Sequence, residues 1–291
     1  MSQQVVYIDG QFVPEAEAKI SVFDHGVLYG DGVFEGIRLY DGNIFRCREH
    51  LDRLYDSAQA IAMKIPVSKA DFEQILAETC RRNGLRDCYI RAVVTRGPGT
   101  VGLSPFKCPV PTIFVFTAQL RLYPDEYYRD GLTVITTAHR RYASDSFSPR
   151  IKSLNYLNNI MGKINAVNSG VQEGLVLSRE GYVLEATADN VFVARHGILV
   201  TPPVYMGILK GITRDAVIEL ARADGIEVRE EPITQYEVYT ADECFLTGTA
   251  AEVVPVRVVD SRLIGEGRPG PITLRLIERF RAITTTDGLK I

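Results

Sequence analysis

The chain alternates between two hydrophobic rhythms. "VVYIDGQFV" reads as two short strands about an Asp9-Gly10 turn. In "REHLDRLYDSAQAIAM" the apolar positions Leu51, Leu54, Tyr55, Ala58, Ile61 and Ala62 share one helical face. "SKADFEQILAETCRRNG" predicts a second helix, with Ser68 as its N-cap and Gly84 as its stop. "CYIRAVVTRG" and "PTIFVFTA" are rich in β-branched and aromatic residues and predict strands, so the first lobe reads as α+β. "QLRLYPDEYYRDG" breaks both rhythms around Pro124. The expected division is a small α+β domain over residues 1–118, a linker over 119–130 and a large domain over 131–291.

The second lobe opens with the strand "LTVITTA". A stripe follows at spacings of three and four: Leu154, Leu157, Ile160, Met161, Ile164 and Val167. It predicts a helix whose apolar face is buried, with Lys152 just ahead of it. "GLVLS", "GYVLEA", "NVFVAR" and "ILVTP" predict a meander, with turns at Arg179-Glu180-Gly181 and His196-Gly197. "KGITRDAVIELARADG" predicts a helix ending at Gly225, "ECFLTGTAAEVVPVRVVD" two strands around a Gly-Thr-Ala-Ala turn, and "GPITLRLIERF" a last helix. Few helices against many strands predict a barrel-like second lobe.

The length of 291 residues suits two lobes, and 46% hydrophobic with 24% charged residues is an ordinary soluble composition. The net charge of −3 comes without a basic block, so neither nucleic acid nor a membrane surface is an expected partner. The longest apolar runs are strand-sized, and the N-terminus does not read as a secretory signal. The five cysteines are scattered and form no CxxC, which fits reduced thiols in the cytoplasm. The four histidines show no metal spacing, so no metal is expected.

Several residues could carry chemistry. Lys152 either packs its stem and sends its ammonium to water, or holds its amine in a pocket for attack on a carbonyl. Glu185, in "YVLEATADN", is either a strand-end surface charge or a buried carboxylate kept ionised by a facing cation. In "LKGITRD", Gly211 permits close backbone approach. There Thr213 is either a plain N-cap or part of an anion site at a helix start. "LTGTAA" is a tight turn that also offers the Thr249 hydroxyl and backbone N–H groups. Arg53, in "HLDRLYDSA", is either solvated or the cation of an anion site. A lysine, a carboxylate and an anion cup are what a pyridoxal 5′-phosphate enzyme needs. Competing motifs fail: "GPGTVG" lies in no βαβ unit, and neither Gly-x-Ser-x-Gly nor a Walker sequence occurs.

"FDHGVLYGDGVFEGIRLYDG", "EHLDRLYDSA", "KSLNYLNN", "LKGITRDAV" and "LTGTAAEVVPV", in that order, resemble the fold-type IV pyridoxal-phosphate enzymes, specifically the branched-chain amino acid aminotransferases. The resemblance runs from about Tyr7 to the C-terminal helix. It implies a two-domain α+β fold, with a smaller N-terminal α/β sandwich and a larger, barrel-like domain that binds the cofactor. It implies ping-pong transamination of L-leucine, L-isoleucine or L-valine with 2-oxoglutarate, in a homodimer. By the same resemblance Lys152 is the Schiff-base lysine, and Glu185 is the partner of the pyridine nitrogen. Tyr156 bonds the ring hydroxyl oxygen, and Arg53, Ile212 (through its backbone), Thr213 and Thr249 form the phosphate cup. Tyr89 and Arg91 match the substrate-carboxylate side, helped by the N–H groups of Thr249 and Ala250. Phe34, Gly36, Arg38 and Tyr29 match the pocket wall, Tyr29 crossing from the neighbouring subunit. One departure stands out: Ala186 occupies a position where the family usually has glycine, which puts the pocket shape beside the ring in doubt. D-amino acid transaminases, amine transaminases and aminodeoxychorismate lyases of the same fold are the alternatives. "YIR" at Tyr89 to Arg91 and "EGIR" at Glu35 to Arg38 favour the L-branched-chain type.

Overall fold

The computed structural model describes residues 4–120 and 122–291. The chain forms two compact units: Met1–Leu120 with Ile151–Asn155 and Thr284–Ile291, and Arg121–Arg150 with Tyr156–Ile283.

In the first unit, β1 (Val5–Ile8) and β2 (Gln11–Pro14) form a hairpin. Asp9 and Gly10 take φ of 44° and 90°, the left-handed pair that a tight hairpin turn requires. There follow α1 (His25–Tyr29), β3 (Gly32–Tyr40), β4 (Asn43–Phe45), α2 (Cys47–Ala60), α3 (Lys69–Arg82), β5 (Cys88–Thr95) and β6 (Thr112–Ala118). The expected caps of α3 are in place: the Ser68 hydroxyl accepts from the Asp71 N–H, and Gly84 follows at φ 63°. A seven-stranded antiparallel sheet runs in the order Gly288–Lys290, β4, β3, β5, β6, β1, β2. Val33, Ile37, Leu39, Ile90, Ala92 and Val94 form a core with Leu51, Leu54 and Ala58 of α2 and Phe72, Leu76 and Cys80 of α3. This is the expected α/β sandwich. Alternation along β3 and β5 gives Phe34, Gly36, Arg38, Tyr89 and Arg91 the other face, with Gly36 opposite Arg91 and Arg38 opposite Tyr89.

The segment around Lys152 departs from the expected division. β4 pairs with β3 only at Leu39 and Tyr40, so the start of β3 has an edge to fill. Ile151–Asn155 fills it: the Phe34 N–H donates to the Lys152 carbonyl (3.0 Å) and the Leu154 N–H to the Gly32 carbonyl (2.9 Å). Lys152 therefore groups with the first unit, not with residues 131–291, because backbone pairing decides where a short segment belongs. The final strand Gly288–Lys290 joins the first unit for the same reason.

The second unit contains α4 (Asp125–Asp130), β7 (Leu132–Arg140), α5 (Leu157–Asn168), β8 (Glu173–Leu177), β9 (Val183–Ala186), β10 (Asn190–Arg195) and β11 (Ile198–Thr201). It continues with α6 (Ile212–Ala223), β12 (Val228–Glu230), α7 (Gln235–Tyr239), β13 (Glu243–Gly248), β14 (Glu252–Val259) and α8 (Pro271–Thr284). The pairing of β9 with β10 closes the ring β9-β10-β13-β14-β7-β8, a six-stranded barrel; β11 and β12 extend it from β10. Leu132, Val134, Leu175, Val191, Leu246 and Val254 lie in its core cluster. The expected linker is partly helical, because Pro124 stands at the N-cap of α4 and opens that helix.

The α5 stripe is not buried as expected. Leu157 is 62% exposed, Ile160 52%, Ile164 43% and Val167 62%, and Leu154 lies before the helix begins. The helix is buried only at Gly162 and Ala166, small residues that let it lie close to β7 and β8. Periodicity identifies an apolar face without saying what covers it. No helix among the described residues is long and apolar enough to cross a membrane.

Candidate active site

The first unit builds its part of the site on one face of α2. His50, Arg53 and Ser57 stand at spacings of three and four, so their side chains share that face. The Lys152 N–H donates to the Ser57 hydroxyl oxygen (3.1 Å), which anchors the lysine's backbone to the helix that carries Arg53. Arg53 donates from Nε to Glu35 Oε1 (2.7 Å) and from Nη2 to Glu35 Oε2 (2.8 Å). His50 Nδ1 lies 2.7 Å from the same Oε2. Burial pushes the Glu35 carboxyl up, but Arg53 and His50 outweigh it and hold the group well below the usual carboxylate range. Burial pushes His50 down despite the neighbouring Glu35 charge. A neutral imidazole facing a carboxylate must place its proton on Nδ1, as the donor.

At the edge of β3, Lys152 Nζ lies 4.7 Å from the centre of the Phe34 ring. The Arg91 guanidinium carbon lies 4.3 Å from the same ring and 5.5 Å from that of Tyr89. Gly36 makes room beside them: a Cβ there would come within 2.2 Å of the Tyr89 hydroxyl oxygen. The Arg38 guanidinium stacks 4.7 Å from the Tyr40 ring, and its Nε is buried without a hydrogen-bond partner among the described residues. The structure thus brings Lys152, Phe34, Gly36, Tyr89 and Arg91 together. Tyr29 sits on α1, where its hydroxyl accepts from the Gly102 N–H (2.9 Å).

The second unit centres on Glu185, which is 6% exposed near the end of β9. Its Oε1 accepts from Arg141 Nη2 (2.6 Å), and its Oε2 accepts from the Leu209 N–H (3.0 Å) and Asn190 Nδ2 (3.3 Å). Arg141 is oriented in turn from α5, donating from Nη1 to Asn159 Oδ1 (3.0 Å) and Asn158 Oδ1 (3.4 Å). Asn159 Nδ2 donates to the Thr187 carbonyl (2.7 Å). A cation and two further donors favour the charged form of a carboxylate. Ala186 follows Glu185 on β9. It is wholly buried in the barrel core with Leu175 and Val191, on the other side of the strand.

Tyr156 is the N-cap residue of α5 and is half-buried. Gly211 is the N-cap residue of α6 and offers no side-chain cap, so Ile212 and Thr213 form the opening of the first turn. Thr213 is therefore not the N-cap that its position suggested; it lies inside the turn, 3% exposed. A Cβ on Gly211 would meet Asn190 Oδ1 at 2.0 Å, and Asn190 Nδ2 also donates to the Leu209 carbonyl (2.9 Å). One asparagine thus ties the carboxylate to the loop leading into α6. An uncapped first turn of a twelve-residue helix is a ready anion site. Thr249 and Ala250 are half-exposed in the turn between β13 and β14.

Chemically, the first unit supplies an amine beside an aromatic ring and a guanidinium fixed in a fork. The second supplies a buried carboxylate paired with Arg141 and a helix start open to an anion. Taken separately, these are the kinds of group that a phosphorylated aldehyde on a cationic heterocycle calls for: an amine for the aldehyde, a guanidinium or a helix start for the phosphate, a carboxylate for the ring nitrogen. Sequence reasoning missed Glu35, His50, Arg141, Asn159 and Asn190. Only the i, i+3 spacing of His50 and Arg53 in "EHLDR" hinted at His50; nothing in "HRRY" singles out Arg141.

The amino-transferase class IV family model matches residues 32–259. The chain is 52% identical to a putative branched-chain-amino-acid aminotransferase of Methanocaldococcus jannaschii over 286 residues, covering 98% of each chain. A crystal structure of the branched-chain amino acid aminotransferase of Escherichia coli superposes with a TM-score of 0.95 at 35% identity, covering 99% of this chain and 97% of that one. The T.th. branched-chain amino acid aminotransferase with pyridoxamine 5′-phosphate gives a TM-score of 0.93 at 38% identity, covering 98% of this chain and 95% of that one.

Proposed function

The chain belongs to the amino-transferase class IV family, and from that premise we propose that it is a pyridoxal 5′-phosphate-dependent transaminase that moves the amino group of L-leucine, L-isoleucine or L-valine to 2-oxoglutarate. Two of its relatives carry the branched-chain name, and a third, also so named, holds pyridoxamine 5′-phosphate. The bound cofactor supplies an aldehyde that takes the amino group and a ring that accepts the electron pair freed when the α C–H bond breaks.

The chain's own residues do the rest. The Lys152 amine would hold the bound cofactor through its aldehyde carbon; once the substrate amine has displaced it there, the freed amine would take the α-proton as base and return it as acid. Glu185, paired with Arg141, keeps the ring nitrogen protonated. Tyr156 donates to the ring hydroxyl oxygen. Arg53, the Ile212 N–H, Thr213 and Thr249 hold the phosphate. Tyr89 and Arg91, with the N–H groups of Thr249 and Ala250, bind the substrate carboxylate. Phe34, Gly36, Arg38 and Tyr29 wall the side-chain pocket, whose apolar surface discriminates weakly, at about 1–3 kcal/mol per methylene.

The observation that carries this reading is the anchoring of Lys152. It is bonded through its carbonyl to β3 beside Phe34, and through its N–H to Ser57 on the same helix face as Arg53. The exposed apolar stripe of α5 supports assembly with a second copy of the chain. Five free cysteines support a cytoplasmic setting. The test is a panel of L- and D-amino acids and simple amines with 2-oxoglutarate, read as glutamate formed. Fastest turnover with L-leucine, L-isoleucine and L-valine is expected. Preference for D-alanine, or for amines lacking a carboxylate, would overturn the assignment.

A further inference from the structure

Glu35 is the one charged side chain on the core face of β3, among Val33, Ile37 and Leu39, and it is wholly buried. A carboxylate there is costly unless it is fully bonded, and an apolar side chain of similar size would serve packing better. It accepts three charge-assisted or polar hydrogen bonds: two from the Arg53 fork (2.7 and 2.8 Å) and one from His50 Nδ1 (2.7 Å). His50 is itself 1% exposed and comes from the same helix as Arg53, one turn earlier.

We propose that Glu35 and His50 are positioning residues for the phosphate of the cofactor, aiming Arg53 before the phosphate arrives. The inference rests on the reading of Arg53 as the phosphate cation. The two parallel bonds from Nε and Nη2 fix the plane of the guanidinium, and His50 fixes the carboxylate that receives them. An arginine side chain held this way gives up little freedom when its ligand binds, and preorganisation of that kind appears as affinity. The carboxylate also balances the guanidinium charge when no phosphate is present, so the arginine need not swing to solvent. Glu35 and His50 touch neither substrate nor the reacting atoms; they act through Arg53.

The phosphate itself provides the test. Apoenzyme of the full chain is titrated with pyridoxal 5′-phosphate and with pyridoxal, which has the aldehyde and ring but no phosphate. The dissociation constant of pyridoxal divided by that of pyridoxal 5′-phosphate isolates the phosphate contribution. Glu35→Gln and His50→Leu are expected to reduce that ratio at least tenfold, chiefly by weakening the phosphorylated ligand. His50→Asn, whose Nδ2 can replace the lost donor, is expected to restore most of it. Equal weakening of both ligands would assign the pair a structural role and overturn the proposal. So would a ratio that rises in Glu35→Gln, since Glu35 would then be a counter-charge that opposes phosphate. Arg53→Met is the control: if it leaves the ratio unchanged, the phosphate reading of Arg53 falls. If it alone lowers the ratio, only the positioning role falls.

Discussion

Arg141 places Nη2 at 2.6 Å from Glu185 Oε1, with side-chain exposures of 3% and 8%. Removing one partner of so buried an ion pair leaves the other charge stranded, a loss of about 3–5 kcal/mol. Arg141→Met is expected to lower stability by that order and to cut turnover by orders of magnitude. The double variant Arg141→Met/Glu185→Gln should regain most of the stability and none of the turnover. Denaturant titration of the four proteins checks this; additive losses would show that the two groups do not act as a pair.

Lys152→Ala removes the amine and keeps the backbone groups that pair with Gly32, Phe34 and Ser57 through residues 152–154. It is expected to abolish turnover with an unchanged far-ultraviolet spectrum and a small change in Tm. Turnover near the wild-type rate would remove the lysine from the chemistry.

Gly36→Ala would set a methyl 2.2 Å from the Tyr89 hydroxyl oxygen, so the ring must shift. On the proposed role of Tyr89 in binding the substrate carboxylate, KM for the amino donor should rise about tenfold, equivalent to about 1.4 kcal/mol. Steady-state kinetics decide it, and an unaltered KM would take Tyr89 away from the substrate.

His50 and Glu35 make stability depend on pH in a stated direction. Burial holds the His50 pKa down, against Glu35 and with help from Arg53 and Lys152. Below about pH 6.5 the unfolded histidine takes a proton that the folded one refuses, so stability falls with acidification. Glu35, with its folded pKa depressed, contributes stability above its unfolded value of about 4.3 and loses it as pH falls through the folded one. His50→Asn should therefore flatten the decline in denaturation midpoint between about pH 6.5 and 5 and leave the steeper loss below it. An identical profile in the variant would rule out His50 as its source.

The exposed stripe of α5 gives a prediction about assembly. Ile164→Asp puts a charge among Leu157, Ile160, Met161 and Val167. It is expected to shift sedimentation from a dimer or higher species to the monomer at micromolar concentration. A wild-type chain that is already monomeric would leave that face without its proposed occupant.

Local patterns made much of the fold legible. The Asp9-Gly10 hairpin, the Ser68 cap and the β10–β11 turn at His196-Gly197 follow from residues adjacent in sequence. Long-range pairings were not legible. Nothing local says that Lys152 belongs on the edge of β3, that Gly288–Lys290 closes the first sheet beside β4, or that β9 meets β10 to close a barrel. The site followed the same division. Residues inside distinctive segments, such as Arg53, Lys152 and Glu185, stood out as candidates. Arg141 and Glu35 could not, because each takes its role from a partner 44 or 18 residues away. The α5 stripe was read correctly as apolar, but the expected cover is not supplied by its own chain, since a sequence does not distinguish a core from a face that needs a partner.

The central claim is that the Lys152 amine is the one that joins the cofactor aldehyde. Wild-type enzyme incubated with pyridoxal 5′-phosphate, reduced with borohydride and digested should yield one phosphopyridoxyl-modified peptide, with the tag on Lys152. A tag on another lysine, or no stable tag at all, would contradict the account.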